Sequence, residues 1–273
     1  MVSRLSAGHV GPLWFLSLRF PLAAIFMLLI AVQQGAIWPG LAAAGHGMVA
    51  GMFLHGFYLG PIYWAVSEGL PAGVAALIVG LQPLLTAFMA AAILDEKITS
   101  RHWMGLAIGL LGISLVVEPK LVFSHVGGIT PLTVGCTLFG AVAISFGTVY
   151  QKRFATGLDL ATGGFWQYVG ASVIVLLGAG MLGDFRFDHS VQAWSALAWS
   201  VVVLSLGAIT LLMILIREGE VSRVSGLIFL VPAVSALMTY LMFDEKLLLV
   251  QIIGMAVCAA SVLIVRPSAL REI

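Results

Sequence analysis

Charge is scarce in this chain. Asp, Glu, Lys and Arg make up 9% of its 273 residues, against about 25% in a soluble domain. The 13 basic and 12 acidic residues cannot coat a globule of this size with water-facing groups, so the surrounding solvent must be lipid. Cysteine is nearly absent as well. Cys136 and Cys258 each sit in an apolar stretch, which excludes a disulfide framework and gives no support to a metal site. The net charge is +1 and no three basic residues run together, so nucleic acid is excluded as a partner. There is no His-Glu-x-x-His, no pair of spans each carrying an aspartate, and no serine with an evident histidine partner. An intramembrane enzyme would need such paired groups at depth. With no polar domain, low-complexity tract or long tail, nearly everything the protein does must happen inside the membrane.

What is present is apolar sequence, 61% hydrophobic with a mean hydropathy of +1.10. A helix that crosses a bilayer needs about 20 such residues. Breaking the chain at its charged and Gly/Pro-rich segments gives nine runs, at 13–33, 46–67, 72–94, 101–117, 129–150, 161–182, 192–216, 221–243 and 247–265. The expected fold is therefore an all-α integral membrane protein with nine transmembrane helices. The opening residues are not a signal peptide, because Arg19 interrupts the first half and the apolar segment after it is long enough for a span.

An internal repeat runs through the chain. Pro83, Ala87, Met89, Asp95, Glu96, Lys97, Gly105 and Ala107 recur as Pro232, Ala236, Met238, Asp244, Glu245, Lys246, Gly254 and Ala256, each pair 149 positions apart. Gly69, Val74, Leu77 and Ile78 match Gly219, Val224, Leu227 and Ile228 at a spacing of 150, and Arg4 and Gly8 match Arg153 and Gly157 at 149. The two units expected are residues 1–124 and 129–273. Arg153 closes a complete helix whereas Arg4 has three residues before it, so the register predicts that the first helix of a ten-helix plan is lacking from the first unit. Five helices per unit is an odd number, and the two copies must then enter the membrane from opposite sides. With the C-terminus cytoplasmic, Lys97, Arg101, Lys152, Arg153, Arg217, Arg223, Arg266 and Arg271 lie inside, against Arg4, Lys120, Arg186 and Lys246 outside. That bias agrees with the positive-inside rule. Inverted repeats place a site near the midplane, exposed alternately to each side as one half rocks against the other, which predicts transport of a small molecule. A non-transporting membrane scaffold, or a truncated inactive carrier, is the alternative.

The ordered series Leu18-Arg19-Phe20 with Ala23-Ala24, Ala65-Val66-Ser67-Glu68-Gly69-Leu70-Pro71-Ala72-Gly73-Val74-Ala75, Gln82-Pro83-Leu84 and Asp95-Glu96-Lys97, with its second version from Val231-Pro232-Ala233 to Asp244-Glu245-Lys246, resembles the EamA-type transporters of the drug/metabolite transporter superfamily. The resemblance covers essentially the whole chain. It implies a ten-helix inner-membrane carrier, an exporter of amino acids or other small metabolites in many members, with no prosthetic group.

Seven residues are candidates for binding substrate. Arg19 lies about two turns inside a span, where an unpaired guanidinium costs at least ~2.5 kcal/mol; it is either a cavity charge that attracts a carboxylate or an arginine snorkelling to the interface or bonding helix-end carbonyls. His55 lies mid-span with Tyr58 three positions on, which suits a polar substrate or a proton relay, or a histidine bonded to a neighbouring helix. Gln82 stands one turn from Thr86 and just before Pro83, which frees a backbone carbonyl within the span. Trp166 and Tyr168 occupy the second unit's counterpart of the Arg19 region, as an aromatic cavity wall or as interfacial belt residues. The Asp-Glu-Lys triplets read as structural, closing one helix and opening the next. Gly105, Gly109 and Gly112 read as core packing, with a homodimer seam as the alternative. No acid lies deep in any span and Glu68 stands nearest, at a helix end, so no carboxylate proton relay is visible and facilitated diffusion or exchange is expected.

Overall fold

The computed structural model describes residues 10–122, 128–182, 185–218, 230, 234 and 248–265. Among these the chain is helical throughout, apart from turns and one isolated antiparallel bridge between Val10 and Phe187. The helices are α1 (Pro12–Gln33), α2 (Leu41–Ser67), α3 (Ala72–Leu94), α4 (Ser100–Val122), α5 (Pro131–Phe154), α6 (Leu160–Leu182), α7 (Val191–Leu215) and α8 (Leu249–Val265). The first seven are long and apolar enough to cross a membrane, and α8 is a shorter apolar helix. Seven of the expected runs coincide with α1 to α7 and the last with α8. The run 221–243, Pro232 and the second Asp-Glu-Lys triplet lie outside the described residues.

Local chemistry sets the helix ends. Thr130 caps α5, its Oγ1 accepting from the Thr133 amide at 3.1 Å while the Thr133 hydroxyl accepts from the Thr130 amide at 3.0 Å, a reciprocal pair that satisfies two donors at the helix start. Asp159 Oδ1 accepts from the amides of Ala161 and Thr162 and so opens α6. Asp95 ends α3 in the left-handed conformation, φ 56°, a conformation for which a short polar side chain is suited.

Three helices depart from α geometry in ways the apolar pattern does not announce. α2 contains a π turn at Met52–Gly56, and α7 a π segment at Ser200–Ala208. α3 breaks at Gly80–Leu81, between the helical pieces Ala72–Val79 and Gln82–Leu94. Pro83 stands at the head of the second piece, where its missing N–H costs least.

Packing follows small residues. α2 lies against α6 so closely that a Cβ on Gly51 would overlap the Gln167 backbone, and one on Gly170 the Met48 carbonyl. On its other side α2 meets α5, where a Cβ on Gly140 would stand 2.9 Å from the Tyr58 carbonyl oxygen. α4 and α8 form a second close seam through Gly112, Gly254 and Cys258, so Gly112 is a packing residue between helices of one chain. The outward faces carry Ile25, Phe26, Leu29, Leu111, Leu177, Met181 and Ile252, all exposed, the surface that hydrocarbon solvates.

Candidate functional site

α1 buries one stripe, Leu16, Phe20, Ala23 and Met27 among it, and Arg19 falls on the same side of the helix. Its position sends a cation into protein, where it is 5% exposed. The guanidinium Nε donates to Ser205 Oγ at 3.0 Å and stands 5.6 Å from the Phe20 ring centre. Ser205 belongs to the π segment of α7 and is fully buried. It also accepts, through its backbone carbonyl, the Tyr168 hydroxyl at 2.6 Å. Arg19 from α1 and Tyr168 from α6 therefore converge on one residue of α7.

His55 completes this layer from the π turn of α2. Its ring stacks on Tyr168 at 5.1 Å and 19°, and lies 5.9 Å from Phe20. Beside the imidazole lies the amide of Gln167, near enough to act on it but outside bonding geometry. Gln167 is 1% exposed, and neither its Oε1 nor its Nε2 makes a hydrogen bond; His55 Nε2 makes none either. Each such orphan costs about 1–3 kcal/mol, a cost relieved by any group that bonds it.

Above the layer is a cavity of about 540 Å³ between α1, α2, the first piece of α3 and Arg186. Its walls include Phe15, Tyr58, Ile62, Tyr63 and Ser67. Phe15 precedes Arg19 by one helical turn and Tyr58 follows His55 by nearly one, and the two helices run in opposite directions. Both therefore put the Arg19–His55 layer about 5 Å deeper than the cavity wall. Tyr63 lines the cavity and packs against the core cluster that contains Phe20 and Tyr168.

The seven sequence candidates separate accordingly. Arg19, His55 and Tyr168 come together. Tyr168 is 0% exposed, so it is a core residue and not an interfacial belt, and Arg19 bonds a buried serine and does not snorkel. Tyr58 lines the cavity while His55 faces α6, the π turn lying between them. Gln82 and Thr86 are buried on the second piece of α3, which packs mainly on α5; Ser145 Oγ donates to the Gln82 carbonyl at 3.2 Å, and Thr86 Oγ1 has no hydrogen bond. The structure brings neither of them to the cavity or to Arg19. Trp166 is partly buried, its ring edge-on to Phe165 and its Cβ opposite Gly47 of α2. Sequence reasoning missed Gln167, Tyr63 and Ser205. Gln167 carried a signal, as a polar residue between two chosen aromatics in mid-span. Ser205 carried none, because one serine among apolar residues has no distinguishing spacing.

Comparison with known proteins follows the same lines. The sequence model of the EamA-like transporter family matches residues 1–118 and 132–266. The "Uncharacterized inner membrane transporter YedA" of Escherichia coli is 24% identical over 97% of this chain and 84% of its own length. The "Uncharacterized transporter YvbV" of Bacillus subtilis is 28% identical over 72% of this chain and 63% of its own. The "Probable amino-acid metabolite efflux pump" of Escherichia coli is 24% identical over 93% and 85%. A crystal structure 20% identical in sequence superposes on all of this chain and 93% of its own with a TM-score of 0.77, which shows a shared fold.

Proposed function

The chain belongs to the EamA-like transporter family, and from that premise we propose that it carries small metabolites across a bacterial-type inner membrane, by alternating access at a site between two inverted five-helix units, 1–124 and 129–273. The single observation that carries this reading is the buried Arg19–His55–Tyr168 layer with its unmet hydrogen-bonding atoms, one turn beneath an open cavity. A scaffold gains nothing from such a layer. A carrier needs polar groups that a passing solute satisfies.

Two contacts support the inverted arrangement. Residues offset by 149 that touch one another must lie beside the axis relating the two units. Gly109 and Cys258 are so offset, and Cys258 Sγ lies 4.0 Å from the Gly109 carbonyl. Arg19 and Tyr168 share the offset, and both bond Ser205. The lysine and arginine bias favours a cytoplasmic C-terminus, and in that orientation the cavity at the ends of α1, α2 and α3 opens outward.

In this reading Arg19, His55 and Tyr168 hold the polar end of the solute and Tyr58 forms part of the wall. Export is the favoured direction, since a relative is named for efflux. The test is counterflow in liposomes loaded with unlabelled amino acids and their acyl, oxo and amide derivatives. Accumulation of at least one labelled solute is expected, lost in Arg19→Gln although that variant folds. Failure of every solute to accumulate overturns the proposal.

A further inference from the structure

Among the described residues, the layer beneath the cavity holds one permanent cation and no anion. All 12 acidic residues of the sequence lie at or beyond the ends of its apolar runs. Glu68 follows the lining residue Ser67 at the cavity's mouth. It stands thirteen residues, about 20 Å of helix, from the level of His55. The ammonium of a free amino acid lies about one bond-angle's reach from its carboxylate, so a carboxylate held at Arg19 leaves that ammonium without an acid. A buried charge left unpaired is heavily penalised. The aromatic faces do not replace the missing anion, because the Arg19 guanidinium already stands 5.6 Å from the Phe20 ring, and a second cation there would sit beside the first.

What the layer does offer is neutral. Gln167 is more than nine-tenths buried, both ends of its amide are unbonded, and the His55 imidazole beside it has an unbonded Nε2. One donor and one acceptor on a planar amide match the N–H and C=O of a second amide. The cavity wall of Phe15, Ile62, Tyr63 and Val66 takes an apolar tail. We infer that the site selects apolar monocarboxylates that lack an ammonium group and carry a neutral amide beside the carboxylate, acylated amino acids in preference to free ones, with Gln167 reading the amide. This rests on the carrier reading above and names its substrate class. A site built to bond a polar group discriminates strongly against analogues without it.

The test uses four solutes that share one phenyl tail: N-acetylphenylalanine (anion with amide), 3-phenylpropanoate (anion without amide), phenylalanine (zwitterion) and phenylalaninamide (cation). Counterflow with the purified full chain in liposomes is expected to favour N-acetylphenylalanine by about 10-fold over 3-phenylpropanoate, by at least as much over phenylalanine, and to exclude phenylalaninamide. Gln167→Leu should lower apparent affinity for N-acetylphenylalanine about 10-fold more than for 3-phenylpropanoate. Gln167→Glu, which keeps the side chain's size, supplies the missing anion and should shift the ratio of phenylalanine to N-acetylphenylalanine by 10-fold or more toward phenylalanine. Equal or better exchange of phenylalanine by the unaltered protein overturns the inference. So does a Gln167 series that scales all four solutes alike, the result expected of a packing residue. Exchange of other solutes with all four inert overturns it while leaving the carrier reading intact, whereas no exchange of any solute overturns both.

Discussion

Two helix pairs stand in the same sequence relation, each separated by the 149-residue offset, and they are lined by different side chains. In the α4–α8 pair, glycines bring backbone to backbone: a Cβ on Gly112 would lie 2.8 Å from the Cys258 amide nitrogen, and one on Gly254 2.8 Å from that of Val116. Polar side chains there are spent on helix carbonyls, Ser261 on Cys258 at 2.7 Å and Gln251 on Val116 at 3.3 Å. The α1–α6 pair also packs closely, Ser17 Oγ donating to the Val175 carbonyl at 3.2 Å, but large side chains fill one of its layers. Phe20 and Tyr168 stack at 6.0 Å, and Arg19, Tyr168 and Gln167 fill the layer around them. Backbone contact leaves no room for a ligand, whereas beside the large side chains of the Phe20–Tyr168 layer stand polar atoms that the protein itself does not satisfy. One seam is closed by backbone contact, and the other has unmet polar atoms at its side.

The comparison breaks most sharply at Gly112. Gly112→Leu places its Cβ 2.7 Å from Cys258 Sγ, and overpacking there should cost about 3 kcal/mol, seen as loss of the monodisperse peak in detergent. In the other seam Arg19→Gln should weaken solute affinity about 10- to 100-fold while the protein still elutes as folded, because glutamine retains a donor for Ser205. If both variants fail equally to fold, the seams do not differ in kind. Tyr168→Phe removes the bond to the Ser205 carbonyl and should cost about 1 kcal/mol of stability together with a few-fold loss of counterflow. Cys258→Ala gives up one weak sulfur contact and should change thermal stability by less than about 1 kcal/mol, with counterflow untouched.

The spans were legible because each carries a long apolar run, and Arg19 was legible because a cation two turns inside such a run demands a partner. The identity of that partner was not. Ser205 lies 186 positions away, and nothing local marks it. The 149-residue offset aligned Tyr168 with Arg19 but could not say that both would bond one residue of α7. Gln82 and Thr86 were chosen through Pro83, a sound sign of perturbed backbone, and α3 does break just before it. Which neighbour that piece faces is decided by packing against α5, which no pattern within α3 records. His55 and Tyr58 share a face in an ideal α-helix, and the π turn at Met52–Gly56 redirects them.

That π turn has a further consequence. A π turn holds one more residue than the α turn it replaces, the trace of a single-residue insertion. Shifted by 149, positions 52–56 become 201–205, inside the π segment Ser200–Ala208. If the offset records a gene duplication, the insertion is older than the duplication.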